Sequence, residues 1–334
     1  MVIIMKYRTL GKTGFKVSEV GLGTWQVGGR WGDPFDNKNA ETILKKAIAL
    51  GINFIDTADV YGEKAGQSEK SIGQVLNITN EKVFVATKSG RLLNPHITEG
   101  YNEENIRNFI DNSRKRLQVD RIDLLQLHCP PPEVYYKLEV FELLDTLKEE
   151  GKIHHYGVSV EKVEEALKAM EYSNVATVQI IFNMFRLKPA EKVCKEAKKR
   201  DVGIIARVPL ASGLLTGKFT KHTVFKKNDH RFFNRDGQAF DKGETFSGVD
   251  YNVGLQAVKK LKDLFPDPEN LGLYALRWIL MFDEVSCVIP GASKLSHVEM
   301  NVKASDLVPL TEKQMMGVEQ IYNEYIRSSV HHSW

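Results

Sequence analysis

The chain has 334 residues, of which 42% are hydrophobic and 27% charged, and its formal net charge is +3. This composition is typical of a globular protein with a large core, and the small net charge argues against a nucleic-acid or membrane-surface partner. Three cysteines at no metal-like spacing argue against a disulfide framework and against a metal site. The opening segment is too short for a signal peptide, and no apolar run reaches the roughly 18 residues of a membrane span. We therefore expect a cytoplasmic protein.

Strand and helix patterns alternate along the chain after a short hairpin pattern at 6–18. Apolar runs bounded by glycine or polar residues predict eight strands, at 20–24, 53–57, 83–88, 122–128, 154–159, 177–182, 203–208 and 285–290. Amphipathic segments after them predict seven helices, at 40–51, 67–76, 103–117, 135–150, 161–171, 189–200 and 294–304.

Eight strand–helix units predict a single α/β domain, a (β/α)8 TIM barrel over residues 1–334. The residues beyond the roughly 250 that such a barrel needs are predicted to form the hairpin, a long loop after strand seven (212–250), an additional helix (271–282) and a C-terminal tail from 305. A doubly wound open sheet is the alternative fold. The first strand, however, lacks the Gly-x-Gly-x-x-Gly that a dinucleotide-binding sheet of that kind requires.

Three consecutive predicted strands end in ionisable residues, namely Asp56, Lys88 and His128. Tyr61 follows the first of these strands by a few residues. Parallel strands joined by helices are neighbours about 4.8 Å apart, so these side chains should line one rim of the barrel. Active sites of such barrels lie at the carboxyl ends of the strands. The four residues are therefore our candidate catalytic group.

The motifs around these residues resemble those of the aldo-keto reductases. Matching segments run from about residue 6 to 305 in the family's order: GLGTWQVGG (21–29), FIDTADVYG (54–62), ATKSG (86–90), RIDLLQLH (121–128), GVS (157–159), VQIIFN (178–183), PLASGLLTGKF (209–219) and IPGASK (289–294). The resemblance implies reduction of a carbonyl by direct hydride transfer from NADPH.

The chemistry of the four residues agrees with the resemblance. A carbonyl that receives a hydride needs a proton donor, and a free phenol with a pKa near 10 is a sluggish acid at neutral pH. We therefore expect Tyr61 to be the general acid and Lys88 to lower its pKa. Asp56 would hold Lys88 by an ion pair, and His128 would orient the carbonyl. The family implies the same roles.

The resemblance also implies where the cofactor binds. Ser159 and Gln179 correspond to the family's ligands of the nicotinamide carboxamide, and 209–218 corresponds to the segment along the pyrophosphate. Free N–H groups and the dipole of the helix after strand eight suit the 2′-phosphate. The complete set of expected cofactor contacts is Gly23, Thr24, Trp25, Asp56, Ser159, Gln179, Arg207, Pro209, Leu210, Ser212, Lys218, Arg231, Gly291, Ser293, Lys294, His297 and Asn301.

Three positions depart from the family's pattern. Val160 stands where an asparagine or arginine follows the serine, and Met300 stands where relatives often have an acid. Arg207 replaces the aromatic residue that stacks on the nicotinamide. A guanidinium can stack in the same way, or it can turn aside to pair with a loop carboxylate or a phosphate, and the sequence leaves both open.

Two other functions fit the same residues. Lys88 could form a Schiff base in a lyase or aldolase, although an ion pair with Asp56 would make it a poor nucleophile. The chain could also be a cofactor-binding regulatory subunit that resembles the reductases. The substrate is expected to be a small carbonyl compound in a pocket lined by aromatic residues, for which Trp25, Phe232, Phe233 and Phe240 are candidates.

Overall fold

A computed structural model describes residues 4–29 and 33–334, so residues 1–3 and 30–32 of the predicted domain lie outside the described parts. Ten strands occur in these parts: β1 (Tyr7–Thr9), β2 (Lys16–Ser18), β3 (Leu22–Gly23), β4 (Phe54–Asp56), β5 (Phe84–Ser89), β6 (Ile122–His128), β7 (Ile153–Ser159), β8 (Val175–Ile181), β9 (Gly203–Arg207) and β10 (Val285–Val288).

Strands β3 to β10 form one parallel sheet in which each strand pairs with the next along the chain. Parallel bridges from Val20 to Val288 and from Gly23 to Gly291 join the first strand to the last. The sheet therefore closes on itself, and the predicted (β/α)8 barrel is confirmed. Every residue of β8 is buried, as expected for a parallel strand covered on both faces.

Helices follow the strands on the outside of the barrel. Their bounds are α1 (Asn37–Ala49), α2 (Gln67–Leu76), α3 (Glu103–Leu117), α4 (Leu138–Glu149), α5 (Val163–Ala169), α6 (Lys188–Glu191), α7 (Val193–Lys199), α8 (His230–Phe233), α9 (Tyr251–Lys262), α10 (Leu271–Leu280), α11 (Leu295–Asp306), α12 (Glu312–Ile321) and α13 (Arg327–Val330). None of the helices in the described parts could cross a membrane.

The predicted hairpin is confirmed, since β1 and β2 pair antiparallel. It covers the amino-terminal ends of the barrel strands. Arg8 donates to the backbone carbonyls of Leu280, Phe282 and Val285, just before and at the start of β10. Leu10 and Val17 pack into the interior of the barrel. The hairpin thus fills the end opposite the predicted site.

One predicted element needs correction, and two segments contain helices that were not predicted. The single helix at 189–200 is divided into α6 and α7, because Lys192 has non-helical backbone angles (φ −131°, ψ −48°). Helix α9 directly follows the loop 212–250 and was not predicted. The tail from 305 is also largely helical, with α12 capped by Thr311, whose side chain accepts from the backbone N–H of Gln314.

Candidate active site

The barrel brings the four candidate catalytic residues together. Lys88 Nζ lies 2.5 Å from Asp56 Oδ1 and 3.5 Å from Tyr61 Oη, and it also donates to the backbone carbonyl of Thr57 at 2.9 Å. The rings of Tyr61 and His128 meet edge to face, with centroids 6.0 Å apart. Strand ends of β4, β5 and β6 thus place an acid, an ammonium, a phenol and an imidazole in one cluster.

Burial and charge set the protonation states of this cluster. Burial opposes the ammonium of Lys88, but attraction to Asp56 and Tyr61 raises the pKa of Lys88 above its ordinary value. Burial also raises the pKa of Tyr61, and Lys88 only partly offsets that shift. Lys88 lowers the pKa of Tyr61, as predicted, but burial outweighs this effect, so the net shift of the pKa is upward. Both side chains hold their protons at neutral pH.

His128 is kept neutral by its surroundings. Burial first, and then the positive charges of Lys88, Arg91 and Arg207, hold the pKa of His128 well below its usual value. Its Nδ1 atom is buried and has no hydrogen-bond partner in the described chain. Because the imidazole is neutral and His128 lines the cavity, its other ring nitrogen can hydrogen-bond a neutral carbonyl group, and the ring does not act as a cation.

The strand end that carries His128 is fixed by two contacts that the sequence did not predict. Arg91 donates from Nε to the backbone carbonyl of His128 at 3.2 Å and from Nη2 to Glu161 at 2.8 Å. Cys129, the next residue, has φ +46° and donates its backbone N–H to the carbonyl of Ser159. The side chain of Cys129 is a packed thiol, 6% exposed.

Asp56 is held from both sides. While Oδ1 accepts from Lys88, Oδ2 accepts from Gln179 Nε2 at 2.7 Å and from Gln126 Nε2 at 3.3 Å. All of these side chains are buried. Gln126 was missed because it stands in the middle of an apolar strand. Its polarity in the run IDLLQLH was the available signal.

A cavity of about 1120 Å³ extends from this cluster to the amino-terminal end of α11. Every residue expected to contact the cofactor lines it. Asp56, Tyr61 and His128 line it as well, whereas Lys88 lies behind them and is 1% exposed. The aromatic residues Trp25 and Phe240 also line the cavity, while Phe232 is exposed outside it.

The loop after β9 carries strained backbone along the middle of the cavity. Val208, Ala211 and Ser212 all have φ between +46° and +54°, a region that side chains other than glycine rarely adopt. Asn183 stabilises this conformation by donating to the carbonyl of Val208 at 2.8 Å. Ser212 Oγ donates to the carbonyl of Glu244 at 2.9 Å. Such strain persists where surrounding contacts enforce it, and it clusters at ligand-binding loops.

Arg207 forms an ion pair with Glu244 and donates to the carbonyl of Val160 at 2.8 Å. Of the two alternatives left open by the sequence, the structure therefore has the guanidinium paired with a loop carboxylate. Arg207 still lines the cavity, with 8% of its surface exposed. Val160, which departs from the family's pattern, contributes its backbone rather than its side chain.

The far end of the cavity contains the residues expected at the 2′-phosphate. Lys294 is exposed at the amino-terminal end of α11, and Ser293 precedes it with its backbone N–H 3.3 Å from His297 Nδ1. Arg231 forms a bidentate pair with Asp229, at 2.9 and 2.6 Å. Its charge is therefore partly neutralised, which the sequence did not predict.

Comparison with known proteins agrees with this geometry. The sequence model that describes the Aldo/keto reductase family matches residues 19–323 of this chain. Aldo-keto reductase YhdN from Bacillus subtilis is 33% identical over 88% of this chain and 87% of its own. The structure of glycerol dehydrogenase AKR11B4 from Gluconobacter oxydans is 28% identical, covers 96% of both chains and gives a TM-score of 0.76.

An aldo-keto reductase from Klebsiella pneumoniae, solved in complex with NADPH, shares the fold at 21% identity, with 96% of each chain covered and a TM-score of 0.68. The fold class, the oxidoreductase class and the resemblance that the motifs carry are thereby confirmed. This chain belongs to the aldo/keto reductase family.

Proposed function

We propose that the protein reduces the carbonyl group of small aldehydes or ketones to alcohols with NADPH, and that residues 1–334 act as one catalytic domain. The observation that carries the proposal is the buried chain of contacts from Asp56 through Lys88 to the hydroxyl of Tyr61, at 2.5 and 3.5 Å. It opens into a cavity whose lining comes from residues 23 to 301.

Each catalytic side chain has a separate task. When bound, NADPH supplies the hydride that the carbonyl carbon receives. Tyr61 donates its phenolic proton to the carbonyl oxygen, and the ammonium of Lys88 stabilises the phenolate that remains. Asp56 holds Lys88 charged and in place. The neutral imidazole of His128 hydrogen-bonds the carbonyl and orients it toward Tyr61.

The cavity suits a dinucleotide from end to end. Ser159 and Gln179 lie on neighbouring strand ends, in register with one another, where an amide group would find hydrogen-bond partners. Residues of the strained loop 208–213 line the middle of the cavity. The start of α11 offers the positive charge and hydrogen-bond donors that a 2′-phosphate needs. They come from Lys294, from Ser293 and from the free N–H groups of the helix. His297 and Asn301 lie on α11 beside them and would contact the adenine.

A Schiff-base mechanism at Lys88 is disfavoured by the same contacts. The nucleophile in that chemistry is the neutral amine, whereas attraction to Asp56 raises the pKa of Lys88. Borohydride should therefore trap no substrate on Lys88, and a stable adduct there would favour the lyase.

The direct test is NADPH oxidation by the purified protein over a panel of aldehydes and ketones. We expect steady turnover of at least one carbonyl compound, with the alcohol and NADP+ formed in equal amounts. Tight NADPH binding without turnover of any compound would instead favour the regulatory subunit.

A further inference from the structure

Gln126 is a buried polar residue that hydrogen-bonds two side chains of the site. It stands inside β6, is 0% exposed, and its backbone is in register with Lys88 on β5. Its Nε2 donates to Asp56 Oδ2 at 3.3 Å, and its Oε1 accepts from Gln179 Nε2 at 3.3 Å. It is not among the residues that line the cavity. Any effect of Gln126 on a reaction must therefore act through Asp56 or Gln179.

The direction of these hydrogen bonds follows from the chemistry of Asp56. An ionised carboxylate only accepts hydrogen bonds, so both glutamines must turn their N–H groups toward it. The two N–H groups of Gln179 are then used, one by Asp56 at 2.7 Å and one by Gln126. Only the Oε1 atom of Gln179 is left for a ligand. Gln126 thus orients Gln179 as well as Asp56.

The energetic need for these contacts comes from burial. Asp56 is 3% exposed and Lys88 1%, and a buried charge is costly unless it is paired and its remaining hydrogen-bonding capacity is used. Lys88 uses one oxygen of Asp56, and the two amides use the other. Removing an amide leaves a buried oxygen with fewer donors and lets the carboxylate turn away from Lys88.

We propose that Gln126 is a positioning residue for carbonyl reduction, which holds the Asp56 carboxylate in place and thereby fixes the ammonium of Lys88 beside the hydroxyl of Tyr61. This inference rests on the function proposed above. It predicts a larger loss in the chemical step than in cofactor binding, because Gln126 lies outside the cavity and reaches the cofactor site only through Asp56 and Gln179.

The inference also predicts a change in pH dependence. Burial opposes the charge on Lys88 and Asp56 favours it, and the net result is a raised pKa for Lys88. A loosened Asp56 favours the charge less, so Lys88 would lose its proton at a lower pH. Because reduction needs the ammonium, the alkaline limb of the kcat profile should move toward neutral pH.

The experiment compares Gln126→Met with wild type and with Leu124→Met. Methionine matches the length of glutamine without its amide. Leu124 is a buried apolar residue on the same strand, two residues away and therefore on the same face. We expect Gln126→Met to lower kcat about 10- to 100-fold, as for loss of a buried hydrogen bond to a charged group. The Kd for NADPH should stay within a few-fold, and Leu124→Met should leave kcat and its pH profile near wild type.

Gln126→Glu provides a second variant that keeps the side-chain shape. At the acidic end of the profile its protonated carboxyl can donate to Asp56 and accept from Gln179, so it should recover much of the activity that Gln126→Met loses. A wild-type kcat and pH profile in Gln126→Met, or an equal loss in Leu124→Met, would overturn the inference, as would a Gln126→Glu variant no better than Gln126→Met at any pH. If the wild-type protein itself turns over no carbonyl, the proposed function fails and this inference fails with it.

Discussion

The two ends of the cavity are built in different ways. At the catalytic end, Asp56, Lys88 and His128 come from neighbouring strands of a closed sheet, and Asp56 and Lys88 are almost completely buried. At the opposite end, Lys294 is exposed, and Arg231 lies in the short helix α8 of the segment 212–250, paired with Asp229. Strand geometry thus fixes the first group, whereas loop contacts and solvent determine the second.

This difference has consequences for energetics. A buried charge cluster is strongly coupled, because removal of one member leaves another unpaired in a low-dielectric environment. Exposed charges are screened by salt, and each contributes to the binding energy nearly independently of the others. Substitutions at the catalytic end should therefore have large effects that depend on one another, and substitutions at the phosphate end should have small effects that depend on salt.

The largest effects are expected at the catalytic end, and Lys88→Met is one of them. This variant leaves Asp56 buried without its partner and removes the charge that stabilises the Tyr61 phenolate. We expect kcat to fall by about three orders of magnitude or more. Lys82→Met, at an exposed lysine just before β5, is the matched control and should remain near wild type. A Lys88→Met enzyme within tenfold of wild type would show that the ammonium is dispensable.

Asp59 lies between Asp56 and Tyr61 in the chain. Its substitution tests how the burial of a carboxyl group affects the stability of the fold. Its carboxyl is 0% exposed and has no hydrogen-bond partner among the described residues. Burial, followed by the nearby negative charge of Glu69, raises the pKa of Asp59 to about 8. At a pH between the pKa of the unfolded state, near 3.9, and that of the folded state, the carboxyl of Asp59 is protonated in the folded state and ionised in the unfolded state. The contribution of Asp59 to stability is thus full at low pH and is lost as pH rises through 8.

We therefore expect Asp59→Asn to raise the Tm relative to wild type by several degrees at pH 9 and by much less at pH 4. Thermal unfolding of both proteins across this pH range measures the difference. Asp236→Asn, at an exposed loop acid, should show no such trend. A constant difference between Asp59→Asn and wild type at all pH values would mean that Asp59 does not carry a buried proton.

Lys294→Ala probes the phosphate end. A charge-assisted hydrogen bond to the 2′-phosphate should be lost, so the preference for NADPH over NADH, measured as a ratio of kcat/KM values, should fall by about tenfold at low salt. Added salt should reduce the preference of wild type toward that of the variant. Lys303→Ala, near the other end of α11, is the control. An unchanged ratio in Lys294→Ala would place the phosphate elsewhere.

The smallest effect is expected between the two ends, at Arg207. The oxidised nicotinamide is cationic and the reduced one neutral, so only NADP+ responds to the local charge. Glu244→Gln leaves the guanidinium uncompensated and should weaken NADP+ relative to NADPH. Arg207→Tyr leaves Glu244 unpaired and should do the reverse. About 1 kcal/mol at 4 Å in water corresponds to a roughly fivefold change in the ratio of Kd values, which fluorescence titration can resolve. If the ratio of the Kd values for NADP+ and NADPH in both variants equals that of wild type, Arg207 does not face the nicotinamide.

The same contrast explains what the sequence could and could not predict. Asp56, Lys88, His128 and Ser159 were identifiable because each ends an apolar strand, and parallel pairing brings such ends together. Gln126 was missed because a strand pattern does not show which buried polar residue meets which partner.

The loop partners were not predictable for a different reason. Glu244 and Asp229 lie in the segment 212–250, which has no regular hydrophobic period. The path of this loop is determined by distant contacts, such as that of Trp334 Nε1 with Asp241 at 3.0 Å. The pairing of Arg207 with Glu244 thus depends on the tertiary structure, whereas Asp229 lies only two residues before Arg231. The raised pKa of Tyr61 had the same origin, because the extent of its burial is not visible in the sequence.

The central claim is that Tyr61 donates the proton in a carbonyl reduction, and Tyr61→Phe tests it most directly. The variant keeps the ring and removes only the hydroxyl that lies 3.5 Å from Lys88 Nζ. Single-turnover reduction and NADPH titration should be measured on the same preparation. We predict that the rate of the chemical step falls by several orders of magnitude while the Kd for NADPH stays within a few-fold, because the phenol acts mainly in the transition state. Loss of NADPH binding with an unchanged rate for the enzyme that still binds would contradict the account.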